Sequence, residues 1–217
     1  MFITTAMTEK ITNSQLSQSV LEQVRSSTYK INPVILNRWS PRSMTGEQLS
    51  YEELMSLFEA ARWAPSSANA QPWRFIYATR NTEEWNNLFN LLVDFNKIWA
   101  KNAAVLIVVV SKKEFEYNGR VIASVTHQFD TGAAWENLAL EATSRGLVAH
   151  GMAGFDYTRA RKDLDIPDSF DVIAMIAIGK RDRNDKFPSG LQEGETPSPR
   201  KPLEQMIMKG RFKEANN

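Results

Sequence analysis

The sequence predicts one domain in which helices and strands are interleaved around a buried central strand. Three observations lead there. Ala103-Ala104-Val105-Leu106-Ile107-Val108-Val109-Val110 is a continuous apolar run of strand length. It lacks alternation, as expected of a strand covered on both faces. Helical stripes flank it in the chain, with Leu54, Leu57, Phe58 and Ala61 before it and small apolar residues between Phe129 and Arg145 after it. No repeat or linker divides the 217 residues, a length that supports one substantial core.

Composition narrows the chemistry. Hydrophobic residues at 42% and charged residues at 24% describe an ordinary soluble globular protein. With 26 basic against 25 acidic side chains, there is no electrostatic case for a nucleic-acid partner. The absence of cysteine excludes disulfides, thiolate metal sites and iron–sulfur clusters, so redox chemistry would have to come from a bound cofactor. No run approaches the roughly 18 apolar residues of a membrane span. The apolar beginning is too short for a signal peptide, which makes the cytoplasm the expected location. GxGxxG, Walker, GxSxG and HExxH motifs are missing. His127 and His150 read as packed or surface side chains, with no metal site implied.

Taken in order, residues 1–30 are a polar arm with a weak stripe of Leu16, Val20 and Val24, folding on the body or on a partner subunit. In Asn37-Arg38-Trp39-Ser40-Pro41-Arg42-Ser43 two guanidinium groups flank a hydroxyl. Such groups match phosphate through bidentate charge-assisted bonds, although two solvated surface arginines would read the same way. Ser50 and Glu53 form a capping box for the first amphipathic helix. That helix stops before Pro65, because a residue preceding proline is pushed out of the α region. Ser66, Ser67, Asn69 and Gln71 follow in a loop without formal charge, closed by Pro72. Hydroxyls and carboxamides both donate and accept, which suits the edge of a heteroaromatic ring, although an ordinary surface loop would read the same way.

Trp73 to Thr79 is a strand by its aromatic and β-branched content. A second helix is expected over 83–100, with Leu88, Leu91, Leu92, Phe95 and Trp99 on one buried face. Residues 111–126 read as a charged loop with a short helix, a candidate lid. The helix over 129–145 is apolar nearly all round and therefore expected to be buried, with Gly146 as its left-handed C-cap. Leu147–His150 is a short strand running into Gly151-Met152-Ala153-Gly154-Phe155, where glycines let the backbone approach a flat ligand or simply turn. Asp156 caps a short helix and Asp171–Gly179 is the last core strand. A charged, proline-rich tail ends with Pro199-Arg200-Lys201-Pro202 and a short helix through Met208.

Four of these segments, in this order, resemble the FMN-dependent nitroreductase family. They are Arg38-x-Ser40-x-Arg42, the Ala64–Trp73 loop, the Gly151–Asp156 turn and Arg200-Lys201-Pro202. The likeness spans about residues 35 to 205, and the proline-bracketed loop is its most specific part. It implies an α+β fold, a mixed, mostly antiparallel sheet wrapped by helices, within an interlocked homodimer. Residues 31–217 would then be a single FMN-binding domain, with each of two FMN molecules lying in the subunit interface. The resemblance assigns Arg38, Ser40, Arg42 and Arg200 to the phosphate and nearby polar atoms, with Trp39 packed between. Pro65, Ser66, Ser67, Asn69 and Gln71 would reach the cofactor from the opposing subunit. The backbone of Met152, Ala153 and Gly154 would pass along the ring, an N–H pointing to flavin N5. Asn96 is the nearest match to a polar residue at the pyrimidine edge. Ser198 departs from the family, which often has a base there.

The implied activity is ping-pong oxidoreduction. NADH or NADPH gives hydride to N5, and a small electron-poor acceptor such as a nitroaromatic, quinone or activated alkene is then reduced. No acid–base residue is assigned as catalytic, since the cofactor carries the electron chemistry. Two alternatives stand beside it: FMN-dependent dehydrogenation or flavin breakdown, and a flavin-binding protein without turnover.

Overall fold

A four-stranded sheet in the order β1-β2-β6-β5 organises the chain, built from β1 (Trp73–Thr79), β2 (Val105–Lys112), β6 (Phe170–Lys180) and β5 (Leu147–Met152). The structure is a computed structural model, and it describes residues 24–182, 191 and 195–213. Every pairing in the sheet is antiparallel. Most of the expected 1–30 arm lies outside the described residues.

The side chains of β2 explain the layering. Leu106, Val108 and Val110 enter one hydrophobic core, while Val105, Ile107 and Val109 enter the other. A strand alternates its side chains between faces, so a continuous apolar run feeds both. On one face lie α2 (Tyr51–Arg62) and α5 (His127–Ser144), through Leu54, Leu57, Ala61, Ala134, Leu138 and Ala142. On the other lie α3 (Glu83–Phe89), α4 (Asp94–Ala100) and α6 (Tyr157–Asp163), through Leu88, Trp99 and Ala160. A short α1 (Pro33–Asn37) precedes them, with Asn32 as its side-chain cap. This α+β arrangement is the class expected from the sequence.

Local signals act as expected at several ends. The Ser50–Glu53 capping box is formed in both directions, and Asp156 accepts from the Arg159 N–H at the start of α6. Gly146 follows α5 with a φ of +71°, the left-handed cap.

Three expectations are corrected. The helix expected over 83–100 is two helices, because the chain between them is held by another segment. The Asp156 N–H donates to the Leu91 carbonyl and the Val93 N–H to the Gly154 carbonyl. Leu88, Leu91, Leu92 and Trp99 are buried, but the break turns Phe95 outward to 48% exposure. Residues 111–126 hold a hairpin of β3 (Glu114–Tyr117) and β4 (Arg120–Ala123), not a helix. Its Asn118-Gly119 turn has φ values of +50° and +72°, the pair that a type I′ turn needs. The tail helix is only a 3-10 turn at Leu203–Gln205, since no apolar stripe packs it against the body.

Candidate functional site

Residues around the Arg38–Arg42 segment build the site. Arg38, Trp39 and Ser40 line a pocket of about 250 Å³ together with Arg25, Thr196, Ser198 and Arg200. The pocket thus joins two segments far apart in the sequence, the Arg-x-Ser-x-Arg run and the tail arginine. Arg38 Nε pairs with Glu136 of α5 at 3.3 Å, and its Nη1 reaches the Ser40 hydroxyl at 3.4 Å. Arg200 bonds the Ser198 carbonyl and hydroxyl and the Pro199 carbonyl. The Trp39 ring lies 4.9 Å beneath the Arg181 guanidinium.

Glu195 fixes the far end of the segment. Its carboxylate accepts from the N–H of Arg42 at 2.5 Å and of Ser43 at 3.1 Å, and pairs with Arg181. The Arg42 side chain is not in the arginine pocket. It sits over the Phe95 ring at 5.3 Å, and its buried Nε has no partner. Arg42 therefore belongs with α4, where Asn96 Nδ2 donates to the Gly154 carbonyl at 3.0 Å. His150 Nδ1 donates to the Pro41 carbonyl at 3.0 Å, tying β5 to the same segment. Burial holds this imidazole below its ordinary pKa, and the Arg42 charge pushes the same way.

At the β5 end, Met152 is buried in the core while Ala153 is exposed. Among the described backbone bonds of the turn, none uses the N–H of Ala153 or Gly154. The glycines serve the chain's own packing. A Cβ on Gly154 would lie 2.7 Å from Asn96 Nδ2, and one on Gly151 would lie 3.3 Å from the Trp135 ring.

The Pro65–Gln71 loop forms a third group, outside the walls of the arginine pocket. Ala68, Asn69 and Gln71 all have positive φ, at +49°, +53° and +47°. Left-handed conformations cost a non-glycine residue about 1 kcal/mol or more, and clusters of them mark functional loops. The loop is held by its own bonds. The Gln71 N–H donates to Ser66 Oγ at 3.0 Å and Gln71 Nε2 to the Asn69 carbonyl at 2.9 Å. The Ser67 N–H donates to Asp130 Oδ2 at 3.1 Å, at the first turn of α5. The Asn69 carboxamide is in none of these bonds.

These groups suit a ligand that is anionic at one end and polar and flat at the other. Among its described bonds Arg200 meets only neutral oxygens, and the orphaned Arg42 Nε lacks an acceptor. FMN fits that donor set. Among the described residues, no group of three or more His, Asp or Glu could hold a metal.

Fold and site together define an α+β protein with an arginine-lined pocket. Comparison with known proteins places it further: the family model described as "Nitroreductase family" matches residues 35–98 and 91–180, and the chain belongs to that family. A solved structure described as an oxidoreductase containing FMN is 44% identical, covering 88% of this chain and 97% of its own, with a TM-score of 0.84. A protein of Desulfovibrio desulfuricans solved in complex with FMN is 28% identical over 85% of this chain and all of its own, with a TM-score of 0.65. The "Putative NADH dehydrogenase/NAD(P)H nitroreductase" of Archaeoglobus fulgidus is 26% identical over 67% of this chain and 82% of its own.

Proposed function

We propose that the chain is an FMN-dependent oxidoreductase that takes electrons from NADH or NADPH and works as a homodimer. The observation that carries this is the pocket in which Arg38 and Arg200 meet beside Ser40. When bound, FMN supplies the two-electron chemistry, accepting hydride and passing the electrons to an acceptor such as a nitroaromatic, a quinone or an activated alkene.

The chain's own residues bind and orient. Arg38 and Arg200 hold the phosphate through charge-assisted bonds, with the Ser40 hydroxyl beside them. Arg42 and Asn96 serve the ring end, because they stand with the Gly154 turn. The backbone N–H groups of Ala153 and Gly154 are donors along the ring, with Met152 anchoring the strand behind them. Fixed donors at the ring's edge favour negative charge developing there.

Pro65, Ser66, Ser67, Asn69 and Gln71 serve the cofactor of a second copy. Within that loop Asn69 has the uncommitted carboxamide, whereas the Ser67 N–H and Gln71 Nε2 are engaged. Support for the second copy comes from apolar surface that this chain leaves uncovered. Phe129 at the start of α5 is 81% exposed, and Tyr51 and Trp63 at the two ends of α2 are 76% and 72% exposed. Large apolar side chains left exposed on two packed helices support an interaction face here.

The test is anaerobic reduction. Purified protein is expected to be yellow, to bleach with NADH or NADPH, and to recolour when an acceptor is added. Yellow protein that neither nucleotide bleaches would favour flavin binding without turnover. Colourless protein that FMN cannot reconstitute would remove both readings.

A further inference from the structure

Arg25 precedes the segment that matches the family, which begins at residue 35. It is nevertheless one of the walls of the arginine pocket, and only 9% exposed. Its Nε donates to the Ser198 carbonyl at 3.1 Å, and its Nη1 to the Leu36 carbonyl at 3.0 Å and the Arg38 carbonyl at 2.6 Å. One guanidinium thus clasps the backbone of the Arg38 segment to the tail that carries Arg200. None of these three bonds uses Nη2.

Every described hydrogen bond of Arg25 and of Arg200 ends on a neutral oxygen. Burying a guanidinium without a counter-charge is costly, and two like charges close by make it costlier. Burial is the main influence that lowers the pKa of Arg25, followed by repulsion from Arg200 and Arg38. The arrangement gains most from a dianion bound among the three side chains.

We infer that Arg25 is a further phosphate-positioning residue of the flavin pocket: it holds the Arg38 and Arg200 segments together and adds a third positive charge at the phosphate. This rests on the FMN reading given above. Its consequence is selectivity for the phosphorylated flavin, because riboflavin offers the same ring without the dianion. The role has two parts, a clasp and a charge, which different variants separate. Arg25→Gln keeps donors for carbonyls and removes the charge, whereas Arg25→Lys keeps the charge and loses the planar fork.

The experiment titrates apo-protein with FMN and, separately, with riboflavin, following flavin fluorescence for wild type, Arg25→Gln and Arg25→Lys. For Arg25→Gln the FMN dissociation constant is expected to rise about tenfold or more, the loss of one charge-assisted contact, with riboflavin within about twofold of wild type. Arg25→Lys should recover part of the preference for FMN. Inorganic phosphate should raise the melting temperature of the wild-type apo-protein more than that of Arg25→Gln. Equal losses for FMN and riboflavin would reduce Arg25 to a structural strut, and an unchanged FMN affinity would remove it from the site. If Arg25→Gln does not fold, the Arg25→Lys titration decides, a normal FMN-to-riboflavin ratio supporting the charge and a collapsed ratio opposing it. Wild-type protein that binds no FMN sinks the flavin reading itself, a failure told apart because it appears without any substitution.

Discussion

At Arg42 the backbone is satisfied and the side chain is not. Its N–H is held by Glu195, its guanidinium rests on Phe95, and its buried Nε has no partner. An unpaired buried donor costs about 1–3 kcal/mol, which a ligand acceptor would return. Arg42→Ala is therefore expected to raise the dissociation constants of FMN and riboflavin together, by about tenfold or more, because Arg42 stands at the ring end. Arg38→Ala should weaken FMN alone. Parallel titrations with the two flavins check both, and the reverse pattern would exchange the two roles. Gly154 makes a different demand. Alanine there would press on Asn96 Nδ2 and Val93 Cγ2, so Gly154→Ala should cost about 1–3 kcal/mol in a urea titration. The loss should shrink in an Asn96→Ala background, and an undiminished cost would point elsewhere. Arg38, Ser40 and Arg200 were legible because each sits in a short motif. Arg25 was not, since its partners lie 173, 11 and 13 residues away and its own arm has little pattern.

Among elements, the strands and most helices followed from period and caps. Trp73–Thr79 matches its expected limits, and β2 shows the two-sided burial that its apolar run implies. The break between α3 and α4 was hidden, because Asn90–Val93 contains neither glycine nor proline and is set by bonds to the Gly154–Asp156 turn. The β3–β4 hairpin has a turn signal in Asn118-Gly119 that a reading by charge alone passes over. His150 joins two elements, with its ring 4.6 Å from Trp99 and its Nδ1 on the Pro41 carbonyl. Its pKa is lowered in the fold, so the unfolded chain takes up a proton first as the pH falls. The stability it contributes is complete above about pH 6.5 and is lost as the pH falls through the lower folded value. Urea midpoints at pH 7.5 and pH 5.5 should therefore differ more in wild type than in His150→Asn. An equal fall in both proteins would assign the pH sensitivity to other groups.

For the whole molecule, the proposal divides the cofactor's contacts between two copies. An Arg38→Ala chain and an Asn69→Ala chain would each assemble into defective homodimers. Mixed dimers should contain one site with both defects and one with neither, and so recover up to about half of the wild-type activity per heterodimer. No recovery in verified heterodimers would place Arg38 and Asn69 in the same site. Both segments were legible in the sequence. Their partition between subunits rested on resemblance, because a single chain's sequence has no term for its neighbour.

The middle strand of the sheet has a consequence for how the protein comes apart. Odd-numbered side chains of β2 belong to one hydrophobic layer and even-numbered ones to the other, so a single run of backbone is the party wall of both. Neither room can be emptied while the other stays furnished. Damage on either side, from Leu106 or from Ile107, must register as the failure of one building.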